Sequence, residues 1–397
     1  MRVLHVLPAL AETLGGPTQV ALSSVRGLRA LGVDAEIATT DAGIQPLSRK
    51  PPEGGSYGGS CDPIDYQGVP VRFFHAAALR LREFIPSLSL CRWIQASVKE
   101  YDLLDLHYLY TFSTSVCARA ALSHGVPYTV RAMGQLEPWS VRQSPRRKWL
   151  YDTFVDRHLL TRAASVQCTA SSELESVQRR GIDNGVLVPL GVDPFVPLPE
   201  AAAELRSSYN LPSNAKILLY MSRLHKKKRP ELVLEALSLL PADVQCLLAG
   251  EGDDSYFADL QSLARSLSVA DRVQFVGHLS GHAKEVALQG SDVMYLPSFS
   301  ENFSIAVAEA LIRGLPTVIS PEVGLASVVR TISPDLVVRC DEAGAVPILR
   351  RLLEDRDYHH SVQAACLEVS VNEVSLASAS RKLHAEYCRI LKMPTVE

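Results

Sequence analysis

Apolar and polar positions along this chain follow two periods in turn. Short, almost continuously apolar runs recur: RVLHVLP, DAEIATT, VPVRFF, LLDLHYL, PYTVRAM and ASVQCTA, then KILLYMS, VQCLLAG, RVQFVG, DVMYLP, LPTVIS and LVVRC. Between them lie segments of helical spacing, such as Ile305, Ala308, Leu311 and Ile312 on one face of SIAVAEALIRG. Strands that are apolar throughout are buried on both faces, so their alternation with amphipathic helices predicts parallel sheets covered on each side. A chain of 397 residues exceeds one ordinary core. Two doubly wound α/β domains result. Three prolines in GVDPFVPLPE, Gly191 to Glu200, break the periodicity and suit a stiff linker. The expected division is therefore 1–190, a linker at 191–200, and 201–375. An amphipathic helix at about 376–391 is expected to pack back on the first domain. The segment GIQPLSRKPPEGGSYGGSCDP, 43–63, is too long for a casual connection and fits a lid or a disordered stretch equally.

Composition narrows the classes. The apolar fraction of 47% belongs to a well-packed globular chain, and the net charge of −3 argues against nucleic acid as a partner. The charge is uneven, with 20 Lys/Arg against 17 Asp/Glu up to Leu190 and 20 against 26 beyond. Eight cysteines carry no CxxC pairing and no His at metal spacing, and several sit in apolar runs, which predicts buried free thiols. No signal peptide precedes the first strand and no apolar run is long enough for a membrane span, so a cytoplasmic location is expected.

Three constellations carry chemistry. In LGGPTQVALSSVRGL, Gly15 and Gly16 precede a helix that Pro17 can open, and backbone N–H groups at such a turn form an anion site. A plain tight turn accounts for the glycines too, and GxGxxG is absent. In MSRLHKKKRPELVLEALSLL, Arg223, Lys226, Lys227, Lys228 and Arg229 crowd a helix start. Cations there oppose the macrodipole by about 0.3–1 kcal/mol each, a cost more easily borne where an anion binds among them. Arg and Lys together suit a diphosphate, although a solvated basic turn reads the same way. In SFSENFSIAVAEALIRG, Glu301 stands ahead of a helix and Glu309 lies two turns inside it. A cap charge and an i,i+4 pair with Arg313 are the plain readings. Both acids nonetheless follow the DVMYLP strand, at the sheet edge where open α/β sheets bind ligands. Carboxylates accept hydrogen bonds from sugar hydroxyls and the basic turn holds phosphate. A nucleoside-diphosphate sugar satisfies all three.

LGGPTQVAL, SRLHKKKRPELVLEA and ENFSIAVAEALIRGLP, the last with an E-x7-E pattern, together resemble the retaining glycosyltransferases of family 4. The resemblance covers nearly the whole chain. It implies the GT-B fold, two Rossmann-like doubly wound domains facing a central cleft. It implies that Glu301 binds the donor sugar near the reacting carbon, Glu309 the ribose, and Arg223 and Lys228 the diphosphate. Gly15, Gly16, Asn302, Phe303 and Ser304 would add backbone contacts, and the base would rest near VGHLS. The family usually carries an active-site His before the glycine of PYTVRAMGQLEPWS; here Met133 stands there, with Arg131 two residues earlier, and these two with His107 are the acceptor-side candidates. Ser304 also replaces a usual glycine.

The implied reaction moves a sugar to a saccharide hydroxyl with retention, and needs neither metal nor cofactor, because Arg223 and Lys228 meet the leaving charge. A non-catalytic sugar-nucleotide-binding protein, or another GT-B enzyme such as a nucleotide-sugar epimerase, is the alternative. Arg142, Arg146, Arg147 and Lys148 beside Trp139 and Trp149 suit an anionic lipid surface, or equally a solvated helix. The expected setting is polysaccharide or lipid-linked glycan synthesis in the cytoplasm, peripheral to the inner membrane face.

Overall fold

A computed structural model describes residues 1–10, 16–43, 62–77, 84–136, 157–339 and 344–394. Gly15, most of the 43–63 segment and the basic stretch with Trp139, Arg142, Arg146, Arg147, Lys148 and Trp149 lie outside the described residues. The chain divides into two compact units, Met1–Gly191 with Leu376–Glu397, and Val192–Ser375.

Among the described residues the first unit carries eight strands: β1 (Arg2–Ala9), β2 (Asp34–Thr40), β3 (Ile64–Tyr66), β4 (Val69–Phe74), β5 (Leu103–His107), β6 (Tyr128–Arg131), β7 (Ser165–Cys168) and β8 (Gly185–Leu187). Their order is β3-β4-β2-β1-β5-β6-β7-β8, parallel except for the β3–β4 hairpin. Side chains on a strand alternate between faces, and the two faces of β1 feed two cores. Leu4 and Val6 join Leu104, Leu106, Ala118 and Ala121 on one side. Val3 and Leu7 join Val25, Leu28, Leu383 and Tyr387 on the other. The helix Leu376–Leu391 therefore belongs to the first unit, although the chain reaches it only after the second.

The second unit carries β9 (Lys216–Met221), β10 (Val244–Ala249), β11 (Val273–Gly277), β12 (Val293–Leu296) and β13 (Thr317–Ile319), ordered β11-β10-β9-β12-β13 and wholly parallel. Among the described residues, 336–339 of the run LVVRC do not extend this sheet as a strand. Pro334 opens a 3-10 turn, Pro334–Leu336, and one bridge, Ile319 to Val337, is what remains of the pairing. Pro334, which has no N–H to give to a ladder, leads the chain into that turn just before the bridge.

Each sheet has one place where the winding reverses. In the first unit the chain moves outward from β1 and returns to β5 on its other side. In the second it moves outward from β9 and returns to β12. Loops leaving the carboxyl ends of such a strand pair diverge, and the crevice between them is where open α/β sheets take ligands.

Candidate active site

In the second unit the two diverging loops are Ser222–Arg229 after β9 and Pro297–Ser304 after β12. The first is clamped onto its neighbour. Ser222 N–H donates to the Ala249 carbonyl (3.0 Å) and Leu224 N–H to that of Glu251 (2.8 Å). A Cβ on Gly250 would lie 1.9 Å from the Ser222 carbonyl oxygen, and one on Gly252 would lie 2.2 Å from that of Leu224. Only glycine permits this approach. From below, the buried Tyr220 hydroxyl donates to the Arg223 carbonyl (3.0 Å). Burial, then the charge of Glu301, pushes that phenol's pKa well up, so it stays a donor. The loop closes through Lys228 N–H to the His225 carbonyl (2.7 Å), and Arg229 takes a left-handed φ of 54° ahead of helix Pro230–Leu239. Arg223 ends exposed and Lys228 buried.

The second loop is held as firmly. Phe299 N–H donates to the Lys227 carbonyl (2.8 Å), which fastens the two loops together. Glu301 N–H donates to the Glu322 carbonyl (3.1 Å) and Gly324 N–H to that of Glu301 (3.0 Å). The Ser320 hydroxyl reaches the Ser298 carbonyl. Glu301 is thus no cap charge. Its carboxylate meets the Lys228 ammonium in a short ion pair, with the two side chains 15% and 8% exposed. The cap residue of helix Ile305–Ile312 is Ser304, with φ 72°. That left-handed backbone costs an L side chain about 1–2 kcal/mol, which is the physical reason a glycine suits the position. Asn302 is half-buried beside it and Phe303 buried.

Glu309 and Arg313 do not form the i,i+4 ion pair that their spacing allows. The Glu309 carboxylate takes Lys284 Nζ at 2.6 Å. Arg313 turns to Glu285 (Nε to Oε2, 2.8 Å) and donates from Nη1 to the Glu309 carbonyl (2.8 Å). Burial raises the Glu285 carboxyl, but Arg313 outweighs it and holds the pKa below the ordinary carboxylate range. Lys284 is a residue that motif reading passed over. It carried a signal like that of Lys228, a cation near a helix start: Lys228 just ahead of Pro230–Leu239, Lys284 in the first turn of Gly281–Gly290. Asp253 and Asp355 cap helices, accepting from Ser255 N–H and Tyr358 N–H.

In the first unit, Gly16 begins helix Gly16–Ala30. Arg131 and His107 do not reach a surface, each being 1% exposed. They belong to a polar cluster laid across the sheet in register, His5 beside Asp105, Asp105 beside Thr129, His107 beside Arg131, and Arg131 beside Gln167. Gln167 ties it together, donating to Thr129 Oγ1 (2.9 Å) and Asp105 Oδ2 (3.3 Å) and accepting from Arg131. His5 Nδ1 and His107 Nε2 lie 3.1 Å apart, and Tyr387 of the last helix donates to Asp105 Oδ2. Burial lowers His5 to about 4 and His107 to about 3, so both rings are neutral at pH 7. Burial alone would raise Asp105; the histidines, Arg131 and the Tyr387 hydroxyl override it and bring it to about 2.

His5, Asp105 and His107 form the cluster of metal-ligand type among the described residues. Its chemistry fits a polar core better than a cation site. The imidazoles share one hydrogen bond, Asp105 Oδ2 already accepts two, and the Arg131 guanidinium adds positive charge, while His107 Nδ1 and Asp105 Oδ1 are buried without a partner. Met133, half-buried, follows β6 with φ 53°. Beside it Gly134 N–H donates to the buried Glu173 carboxylate (2.6 Å), which also accepts from Thr169 N–H (2.8 Å). Glu173 thus fixes the segment after β6, a role nothing in SSELESVQ marks.

Comparison with known proteins gives this arrangement a family. Residues 202–365 match the model described as glycosyl transferases group 1, and residues 15–192 that of a glycosyl transferase 4-like domain. The chain is similar to D-inositol 3-phosphate glycosyltransferase of Stackebrandtia nassauensis, 24% identical over 380 residues, 89% of this chain and 82% of that protein. Sucrose-phosphate synthase from Thermosynechococcus elongatus matches in structure with a TM-score of 0.75 at 19% identity, over 99% of this chain and 100% of that one. Anabaena HepE in complex with UDP-glucose matches with 0.74 at 17% identity over 99% of each chain. Such likeness establishes the fold, which is GT-B.

Proposed function

This chain belongs to the group 1 glycosyltransferases with a glycosyltransferase 4-like first domain, and from that premise we propose that it moves a sugar from a nucleoside-diphosphate donor to a saccharide hydroxyl, with retention and without a metal ion. The observation that carries the reading is the meeting of Lys228 and Glu301 at the β9/β12 reversal, with Arg223 on the same loop. Leaving-group charge grows on the diphosphate as the glycosidic bond breaks. Preorganised cations aimed at that charge stabilise the transition state more than the ground state. Arg223 and Lys228 take this part. Glu301 accepts hydrogen bonds from the sugar hydroxyls, and Glu309, steadied by Lys284, accepts them from the ribose. The departing phosphate takes the acceptor's proton, so the reaction does not require the histidine that Met133 replaces.

A uridine nucleotide is the first donor to try, since the HepE structure was obtained in complex with UDP-glucose. Among the described residues no helix is long and apolar enough to cross a membrane. The proposed acceptor is a saccharide on a lipid carrier at the inner membrane face, approached through the basic stretch around Arg146. Thermal-shift screening of UDP-, GDP- and ADP-sugars identifies the donor, because a ligand of the folded state raises the melting temperature. NMR of the product's anomeric signal, with and without chelator, then tests retention and metal independence. An inverted product, or turnover abolished by chelator and restored by a divalent ion, overturns the mechanism. Flotation with anionic vesicles at low and high salt tests the membrane surface, since electrostatic attachment weakens with salt.

A further inference from the structure

We propose that Glu301 also acts after the chemistry, by reclaiming Lys228 and so expelling the spent nucleoside diphosphate. This rests on the donor reading above and adds to it a role in product release.

Lys228 and Glu301 pair directly with one another in the structure. Lys228 and Glu301 have most of their side chains removed from solvent, and each is the other's counter-charge. An ion left alone in such a place is strongly unfavourable. Each backbone has its own anchor, Lys228 in the His225 turn and Glu301 at Glu322 and Gly324, and the Phe299 N–H to Lys227 carbonyl bond holds the two loops together. The side chains can therefore part without either loop being rebuilt. The Tyr220 hydroxyl, which lies close enough to feel the Glu301 charge, is committed to the Arg223 carbonyl and does not serve the carboxylate.

Consider what each ligand offers. A complete donor brings a diphosphate for Lys228 and hydroxyls for Glu301, so it exchanges one ion pair for two sets of hydrogen bonds. Once the sugar has left, the nucleoside diphosphate still competes for Lys228 but brings nothing to Glu301. Product retention then keeps a largely buried carboxylate, 15% exposed, unpaired, and re-forming the pair removes that cost. The same carboxylate that helps bind the donor opposes the product.

The consequence is a change of opposite sign in two measurements. Glu301→Gln should lower turnover of the donor yet bind the nucleoside diphosphate about tenfold more tightly. Its ligand-free melting temperature should fall, since Lys228 loses its partner, and the rise on adding nucleotide should exceed that of the wild type. Glu301→Asp, which keeps the charge on a shorter arm, should bind nucleotide with intermediate affinity and guards against poor folding of the first variant. Glu309→Gln removes an acid from the same region but not from Lys228, and should not tighten nucleotide binding. Calorimetry with UDP, GDP and ADP provides the readout. If none binds either wild type or Glu301→Gln, the donor reading falls and takes this inference with it. If a nucleotide binds wild type and Glu301→Gln leaves its affinity unchanged or weaker, or Glu309→Gln tightens it equally, this inference alone is overturned.

Discussion

Two of the charged clusters among the described residues, one in each unit, are built to opposite ends. In the first unit His5, Asp105, His107, Arg131, Gln167 and Tyr387 lie across the sheet itself; His5 and Asp105 sit mid-strand as register partners. Their hydrogen bonds run to one another, and neutral imidazoles replace what could have been charges. In the second unit Lys228 and Glu301 stand beyond the strand ends, on loops fixed by their own backbones, and remain a single ion pair. A cluster inside a sheet cannot exchange partners without breaking the ladder around it. One just past the strand ends can exchange them for a ligand's groups. The two differ in position: His5 and Asp105 lie within their strands, whereas Lys228 and Glu301 lie on loops beyond the strand ends.

The comparison breaks most visibly through the second cluster. Arg223→Ala and Lys228→Ala should each lower kcat roughly 100-fold or more, in line with the loss of one preorganised electrostatic donor, while the first unit's stability is untouched. Near-normal turnover in both would reduce the loop to a surface turn. The reciprocal variant, Asp105→Asn, should cost about 3 kcal/mol of stability, the scale for removing one partner of a buried charged network. Denaturant unfolding reads that loss, and activity per folded molecule should survive it. A variant that unfolds normally but has lost activity would assign the first cluster to the reaction.

Acid should separate the two clusters next. His5 and His107 are held neutral, with pKa values of about 4 and about 3 against an ordinary 6.5. Unfolded chains therefore bind more protons below pH 6.5, and folded-state stability rises with pH across that window. The contribution is complete above 6.5 and is lost as pH falls toward 4 and 3. Asp105, lowered from 3.8 to about 2, adds a further loss below 3.8. Melting temperature against pH should drop over this range in wild type and drop less in His5→Gln. An equal slope in both would remove the histidines from the account.

Smaller effects sharpen the picture of the second site. Tyr220→Phe deletes the hydroxyl under the Arg223 carbonyl, a neutral hydrogen bond of about 1 kcal/mol, and should reduce kcat/KM by roughly fivefold with kcat carrying most of it. An effect confined to KM would mean that Tyr220 does not position Arg223. Smallest is Ser304→Gly. Relief of the left-handed cap is partly offset by glycine's greater chain entropy, leaving about 0.5 kcal/mol of added stability. Ser304→Ala, still left-handed, should show no such gain; equal melting temperatures for the two would discount the strain.

Much of the fold was legible because its signals are local. Apolar runs such as KILLYMS and VQCLLAG are strands for the reason that both their faces are covered, and that needs no knowledge of neighbours. LVVRC misled because its apolar pattern matched a strand while Pro334 directed the chain into a turn. The candidate site was legible in part. Arg223, Lys228 and Glu301 stood out as charges near a helix start or past a strand end, and Glu309 as an acid within the following helix. Their partners did not: Glu309 chose Lys284 over Arg313 at the favoured spacing, and Glu301 was a partner for Lys228 rather than a cap.

What the sequence by itself determined was the kind of chain this is: two doubly wound domains, their strands, and the loops that carry cationic and acidic residues. Periodicity and motif spacing encode these because each depends on residues a few positions apart. What only the tertiary structure decided was pairing at long range. Tyr387 meets Asp105 across 282 positions, and Lys228 meets Glu301 across the β9/β12 reversal. No local pattern specifies such contacts, since they exist only once the sheet has set which strands are neighbours and which face each side chain takes.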